Sequence, residues 1–458
     1  MTIALYSIVT FAVVTLLIFK EPTVKIPFTT KHIKIDYGIA PLLGILFLLA
    51  TFSINTESIL KGIVGNSTIQ PYAILILFMS LAYICLSLDA TGLFAYLALR
   101  ATKASGNSGK KLFVYFFALS SFLTTFTSND IVILTLTPII YYFAKTTKID
   151  PVPFLMGQFF AANIWSIALY TGNPTNIIVA QAYELSFIEY SKWMLLPAII
   201  SGITCLAMLY IVFRKQIPPS IVVPQVDPYS ALKDKRGAIF GTICLAACIT
   251  CLNLASWLNV SIWQVTLAFA LVVAARDALL SKNFVQENKT VTAAGSLALI
   301  QTLRKMPWKI MPFVIGMFIM VESLSAAGYI RFFASNFSSI NCNAVSASFG
   351  TTIVSSTAAN LMSNQPMTIL FTQMLQNPSF AVSVEAEKTS MLALILGSNF
   401  AANLTLIGSL AGLMWSKLLR DKGLKISFRQ FSKYGLLIMP LTFIAACLTL
   451  LLEILLWM

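Results

Sequence analysis

The sequence predicts an all-α polytopic membrane protein, an inverted repeat of about ten full spans with one re-entrant hairpin in each half. Three observations predict it. Hydrophobic residues make up 58% of the 458 positions and charged residues only 10%, against about 25% charged in an ordinary soluble domain. The 31 Lys and Arg fall almost entirely on one side once the apolar segments are laid across a bilayer. A polar motif interrupts an apolar stretch once in each half, at Ser120–Asp130 (S-S-F-L-T-T-F-T-S-N-D) and at Ser355–Gln365 (S-S-T-A-A-N-L-M-S-N-Q).

A spanning helix needs about 20 apolar residues. Segments of that kind run over 2–19, 38–55, 72–89, 153–171 and 193–213 in the first half. The second half has 237–258, 261–275, 308–327, 389–408 and 434–457. Residues 1–19 lack a basic leader and a small-residue cleavage site, so they read as a retained span. Two further stretches, 111–144 and 346–376, are too long for one helix and carry the polar motifs at their middles. Each reads as a hairpin that enters the membrane and returns to its own side.

Lysine and arginine set the orientation. With the N-terminus outside, the inner loops collect Lys20, Lys25, Lys31 and Lys34, then Lys110 and Lys111, and later groups such as Arg276, Lys282 and Lys289. Of the 31 cations only Lys61, Lys192, Arg331 and Lys388 remain outside. Both termini are then outside, in a plasma (inner) membrane. The net charge of +14 is thereby a topology signal and does not call for nucleic acid as a partner.

The halves, about 1–220 and 225–458, share landmarks in one order. Pro71 matches Pro307, and Gly92 matches Gly328. Ser120, Ser121, Ser128 and Asn129 match Ser355, Ser356, Ser363 and Asn364. G-Q-F-F-A-A-N at Gly157–Asn163 then returns as G-S-N-F-A-A-N at Gly397–Asn403. An odd number of spans per half turns the second copy upside down, the inverted repeat of many secondary transporters.

The hairpin tips are the candidate site. Irregular backbone at membrane depth is tolerated where it lines a cavity or is buried in protein. Ser128, Asn129 and Asp130 are helix N-cap types, and amides freed there carry the positive end of a helix dipole. Ser363 and Asn364 repeat the arrangement, with Pro366 suited to a first helical turn. Asp130 breaks the symmetry, its counterpart being Gln365. A carboxylate in the membrane suits H+ or Na+ coupling, and it also suits a plain N-cap.

A second break, Y-T-G-N-P-T-N at Tyr170–Asn176, ends the span 153–171. Gly172 and Pro174 interrupt the helix, leaving Asn173, Thr175 and Asn176 to bond freed backbone or a solute. I-G-S-L-A-G at Ile407–Gly412 takes that part in the second half, Gly408 and Ser409 standing where Gly172 and Asn173 stand. Asn163 and Asn403 face either the same pocket or a neighbouring helix. Asp89 reads as the cap of an interfacial helix, and Glu322 as a side chain reaching the outer interface. His32 is the single histidine, so no multi-histidine metal site forms and no metal is expected. No phosphate loop, catalytic constellation or cofactor motif is present. Energy must come from an ion gradient or a separate subunit.

T-S-N-D-I-V-I-L-T-L-T-P-I-I, with T-G-N-P-T-N-I-I-V and I-G-S-L-A-G-L-M-W, resembles the motifs of the arsenite/antimonite efflux permeases and their ion-transporter superfamily. The resemblance covers about 38–433. The superfamily also holds Na+/H+ antiporters and carboxylate, sulfate and silicon transporters. The resemblance implies a scaffold domain and a mobile transport domain with two hairpins, working as an elevator, often in a homodimer, and in some members with a separate ATPase subunit. It implies that Ser128, Asn129, Asp130, Gly172–Asn176, Ser363, Asn364, Gly408 and Ser409 line the site for a small inorganic solute. Gln365-Pro366 departs from the asparagine-rich pattern of the family.

The inverted repeat has a direct test. Single cysteines placed at Lys110 and Lys388 should react with impermeant thiol reagents from opposite sides of the membrane; reaction from the same side would rule the repeat out.

Overall fold

The computed structural model describes residues 2–25, 32–65, 69–223, 226–255, 257–287 and 298–457. The helices of the first half are α1 (Thr2–Lys20), α2 (Ala40–Ala50), α3 (Thr56–Val64), α4 (Pro71–Ala90), α5 (Leu93–Ala104), α6 (Gly109–Phe126), α7 (Asn129–Thr146), α8 (Val152–Trp165), α9 (Pro174–Ala182) and α10 (Phe187–Phe213). The second half has α11 (Lys235–Leu254), α12 (Ile262–Glu287), α13 (Ala298–Lys305), α14 (Ile310–Ala326), α15 (Tyr329–Ser338), α16 (Ala344–Met362), α17 (Asn364–Leu375), α18 (Val384–Leu404), α19 (Leu410–Asp421) and α20 (Phe428–Trp457). A short antiparallel ribbon, β1 (Thr23–Lys25) with β2 (His32–Lys34), sits in the first basic loop.

Each predicted apolar segment falls on a helix, and each predicted hairpin is a pair of helices broken at its polar motif. Six helical segments among the described residues are long and apolar enough to cross a membrane. They are Pro71–Ala90, Phe187–Phe213, Lys235–Leu254, Ile262–Leu280, Leu299–Ala326 and Phe428–Trp457. The segment at 38–55 shortens to α2, because Thr51 to Ser53 turn the chain and Asn55 caps α3 through Ser58 N at 2.8 Å. Lys31 and Lys289 of the inner-loop count lie outside the described residues.

Among the described residues eight helices, α2, α3, α5, α9, α13, α15, α17 and α19, have 12 residues or fewer and are shorter than a bilayer is thick. The interfacial helix expected after Asp89 is α5, but its cap differs. Asp89 lies in the last turn of α4, with Lys305 Nζ 3.6 Å from its carboxylate. Gly92 stands at the N-cap of α5 with φ of +86°. A Cβ there would meet Ala231 O at 2.0 Å, so only glycine lets the connector 228–234 lie against this corner. Glu322 is half-buried and shares a cavity of about 280 Å³ with Lys61 and Gln373.

The chain forms two compact units, each drawing on both halves. One comprises Met1–Leu75, Pro174–Leu185 and Pro307–Met458, the other Ile76–Asn173 and Ser186–Met306. In the first, α16 and α17 form a hairpin against α18, which is buried along almost its whole length. Helix α9 also packs there, on α17 and α18. In the second, α6 and α7 form the other hairpin against the equally buried α8. A helix apolar on every face belongs in an interior. The two core helices therefore hold the hairpins from within.

The corresponding seams differ in closeness. Between α16 and α18, a Cβ on Gly397 would lie 1.9 Å from Ser355 Oγ and 2.9 Å from Thr352 O. Ser356 donates to Gly397 O at 3.0 Å, and Thr352 to Ala393 O at 3.3 Å, sewing the helices together. Gly157, the matching glycine of α8, would meet only the outer edge of the Phe113 ring, at 3.0 Å. Gly397→Ala should therefore lower stability by about 1–3 kcal/mol, and Gly157→Ala by clearly less, because a ring can turn and a backbone carbonyl cannot. Thermal unfolding of the two variants in detergent measures the difference.

Candidate functional site

The residues expected at the site divide between the two units. In the unit that holds α6–α8, the first hairpin turns at Thr127 and Ser128. Ser128 is extended (φ −157°, ψ 146°) and ends one helix while starting the next. Asn129 anchors the tip: its Nδ2 donates to Asn163 Oδ1 at 3.0 Å, and its Oδ1 accepts from Asp130 N at 2.9 Å. Asn163 Nδ2 in turn donates to Phe159 O at 3.1 Å. Asn163 thus faces the tip. Asp130 is half-buried, and among the described residues its carboxylate enters no ion pair.

The first part of the second break, through Asn173, belongs to the same unit. After α8 the chain makes a 3-10 turn, Tyr170–Gly172, which packs against α6. A Cβ on Gly172 would meet Ser166 O at 2.2 Å, so the glycine permits the fold-back. Asn173 is extended (φ −153°, ψ 141°), and Pro174 opens α9.

The other unit holds the rest. Ser363 at the second tip has φ of +71°, a left-handed value that costs a serine about 1–2 kcal/mol. Its Oγ and the Oε1 of Gln365 are buried without a hydrogen-bond partner. Strain and unsatisfied polar atoms at one buried turn are the marks of a ligand clamp. Asn364 begins α17 at 4% exposure. Thr175 and Asn176 of α9 meet the core helix directly: Ser398 Oγ donates to Thr175 Oγ1 at 3.2 Å, and Asn399 Nδ2 to Asn176 Oδ1 at 2.8 Å. Gly408 lies where a Cβ would meet Ala401 O at 2.2 Å, and Ser409 caps α19 through Gly412 N at 3.2 Å. Ser409 (φ −153°, ψ 160°) and Asn173 share one backbone conformation, so Gly408 and Gly172 each precede a helix-initiating residue.

Four residues join this half that the motifs did not single out. Ser398 and Asn399 hold α9, while Asn360 donates to Ala401 O at 3.2 Å and accepts from Thr405 Oγ1. Ser398 and Asn399 stand inside the repeated heptapeptide, where the first half has Gln158 and Phe159. Their signal was the departure from the repeat.

Both tips therefore offer neutral hydroxyls, amides and the first turn of a helix; the first adds one carboxylate. The family model of the citrate transporters (CitMHS) matches residues 14–389. The chain belongs to that family. It is accordingly an integral membrane protein and a secondary transporter. Among curated relatives, this citrate transporter family member is 26% identical over 418 residues to an arsenical pump membrane protein of Escherichia coli, covering 89% of this chain and 91% of the relative. It is 28% identical over 376 residues to one of Yersinia enterocolitica, covering 80% and 83%. Among solved structures, the YdaH transporter of Alcanivorax borkumensis shares the fold, with a TM-score of 0.54, 12% identity, and 100% and 97% of the two chains covered.

The Asn129–Asn163 bond carries a prediction. Asn163→Ala leaves the buried Asn129 amide without its acceptor and should cost about 1–3 kcal/mol. Asn163→Asp keeps an acceptor and should cost less, as thermal unfolding of the two variants will read.

Proposed function

We propose that the chain exports arsenite or antimonite in exchange for protons. What carries the reading is the chemistry of the tips. Ser128, Asn129, Ser363, Asn364 and Gln365 are neutral donors and acceptors, and no Lys or Arg stands among the candidate residues. Undissociated arsenous acid is small, uncharged at neutral pH and carries three hydroxyls. Such a solute suits amides, hydroxyls and helix N-termini. A citrate trianion is matched better by guanidinium or ammonium groups. The similarity to arsenical pumps over most of the chain supports the same choice.

Asp130 is the coupling group in this reading. It is the one carboxylate at either tip, and Gln365 in its place on the other tip cannot release a proton. A proton is preferred to Na+ because no second acidic ligand accompanies Asp130 in its tip. The remaining parts of the proposal follow from the repeat and the family. They are ten spans of inverted topology with both termini outside, a mobile unit that carries the solute, and a homodimer. An associated ATPase subunit is compatible with them.

Everted membrane vesicles given arsenite, Na+ or citrate, with and without a pH gradient, decide among the readings. Arsenite should accumulate only with the gradient. Asp130→Asn should cut that flux by about 100-fold or more, the scale of losing a proton-transfer group, while leaving protein levels in the membrane unchanged. Citrate accumulation, Na+ exchange without arsenite movement, or full flux in Asp130→Asn would each overturn the proposal.

A further inference from the structure

The hydroxyl residues of α6 fall into two classes. Ser121, Thr125 and Thr127 donate to the carbonyls of Phe117, Ser121 and Leu123, four residues back, at 2.8, 2.9 and 2.7 Å. That back-bond is the ordinary way a helix satisfies a buried hydroxyl. Ser120, Thr124 and Ser128 do otherwise. They are 0%, 0% and 4% exposed, and their oxygens have no hydrogen-bond partner among the described residues. Ser120 and Thr124 are one turn apart on one face of α6, and Ser128 follows at the tip. Thr171, from the 3-10 turn packed against α6, adds a fourth buried oxygen of the same kind.

An unsatisfied buried hydroxyl costs about 1–3 kcal/mol, and four of them on α6, its tip and the turn packed against it are satisfied most simply by ordered water. The other half of the repeat makes the contrast. There Thr351 and Ser363 are also unpartnered among the described residues, but they stand twelve positions apart, and between them Ser355 donates to Thr351 O while Ser356 and Thr352 bond across to α18, so the free hydroxyls do not follow one another turn by turn. The counterpart of Thr124 is Ala359, and the counterpart of Asp130 is Gln365. Both departures from symmetry fall in the same half.

One turn below Ser120 on the same face stands Phe116, 2% exposed. Its ring packs edge-on against Phe143 and Phe154, with centroids at 6.0 and 6.3 Å, and Phe113 closes on Phe154 at 6.1 Å. The aromatic cluster separates Ser120 from the base of the hairpin. The cations Arg100, Lys103, Lys110, Lys111 and Lys145 stand toward that base on α5, α6 and α7, as do Tyr115, Tyr141 and Tyr142. Tyr96 of α5 packs at a tilt against Tyr229, and Tyr170 packs at a tilt against Phe187 and edge-on against Tyr190. Helix α8 carries no charged residue. Asp130 is the acid at the far, tip end.

We propose that Ser120, Thr124, Ser128 and Thr171 hold a one-ended file of water that hydrates Asp130 and relays its proton, open at the tip and closed at the hairpin base by Phe116 and its aromatic neighbours. The file rests on the reading of Asp130 as the coupling acid. A closed end is what coupling requires, because a through-going file would let protons cross without solute. The proton leaves the carboxyl oxygen for a water of the file and passes out at the open, tip end to solvent water, which supplies the returning proton by the same line, so donor and acceptor lie on one side only.

The test separates the file from the transport reading. In a chain with its seven native cysteines replaced, Thr124→Cys and Ser120→Cys should react with a small cationic methanethiosulfonate about tenfold or more faster than Ser121→Cys, a ratio of the order of one hydrogen bond's worth of rate. Equal, slow reaction at all three overturns the file, whatever the protein transports. In the full chain reconstituted in vesicles with a pH dye inside, Phe116→Ala should leak protons without arsenite, and Thr124→Val should slow arsenite-driven proton movement by about tenfold while Thr124→Ser preserves it. A tight Phe116→Ala membrane, or a Thr124→Val protein moving protons at the native rate, counts against the file. Fast labelling at Thr124 together with no arsenite flux keeps the file and removes the arsenite proposal.

Discussion

A backbone that ceases to be helical inside a bilayer must find partners for its freed amides and carbonyls, and this constraint shapes the whole molecule. Four such breaks occur, at Ser128, Gly172–Asn173, Ser363 and Gly408–Ser409. Each lies beside a core helix, α8 or α18, whose interior faces are buried almost throughout. Side chains flanking the breaks are compensated by those helices: Asn163 for Asn129 at the first tip, Ser398 and Asn399 for Thr175 and Asn176 of α9, and the carbonyl of Ala401 for Asn360. The polar residues of the core helices thus anchor the segments on either side of the breaks.

The same compensation makes the breaks useful. Once Asn129 is committed to Asn163, the Ser128 hydroxyl beside it stays free of protein partners. At the other tip Ser363 is held in a left-handed backbone with its oxygen and that of Gln365 unsatisfied. A helix N-terminus with spare donors and acceptors, fixed by a buried amide bond, is pre-organised for a small polar solute.

The two hairpins carry the same Ser-Asn pair at their tips and differ in packing as much as in sequence. The α16–α18 seam is drawn tight by Gly397 under Ser355 and by two cross-helix hydroxyl bonds. The α6–α8 seam has aromatic rings at its base and free hydroxyls above them. The half with the carboxylate is therefore the half with successive unpartnered hydroxyls on its first hairpin helix.

Much of this was legible in the residues. Apolar runs located the long helices because length and hydropathy suffice at membrane depth, and the paired motifs located both hairpins because polar residues there need a reason. Short amphipathic helices such as α3, α15 and α19 left no comparable trace, since a run of apolar residues is not what defines them. Asp89 looked like a cap because aspartate commonly is one; the turn is made instead by Gly92, which the approach of Ala231 requires. By itself the sequence determined the class, the family and the identity of the tip residues, all of which depend on local composition and order. Only the tertiary structure decided which hydroxyls bond their own helix and which do not, that α9 packs on α17 and α18, and that Asn129 is held by Asn163. Those facts turn on distances between segments far apart in the chain, which no local pattern records.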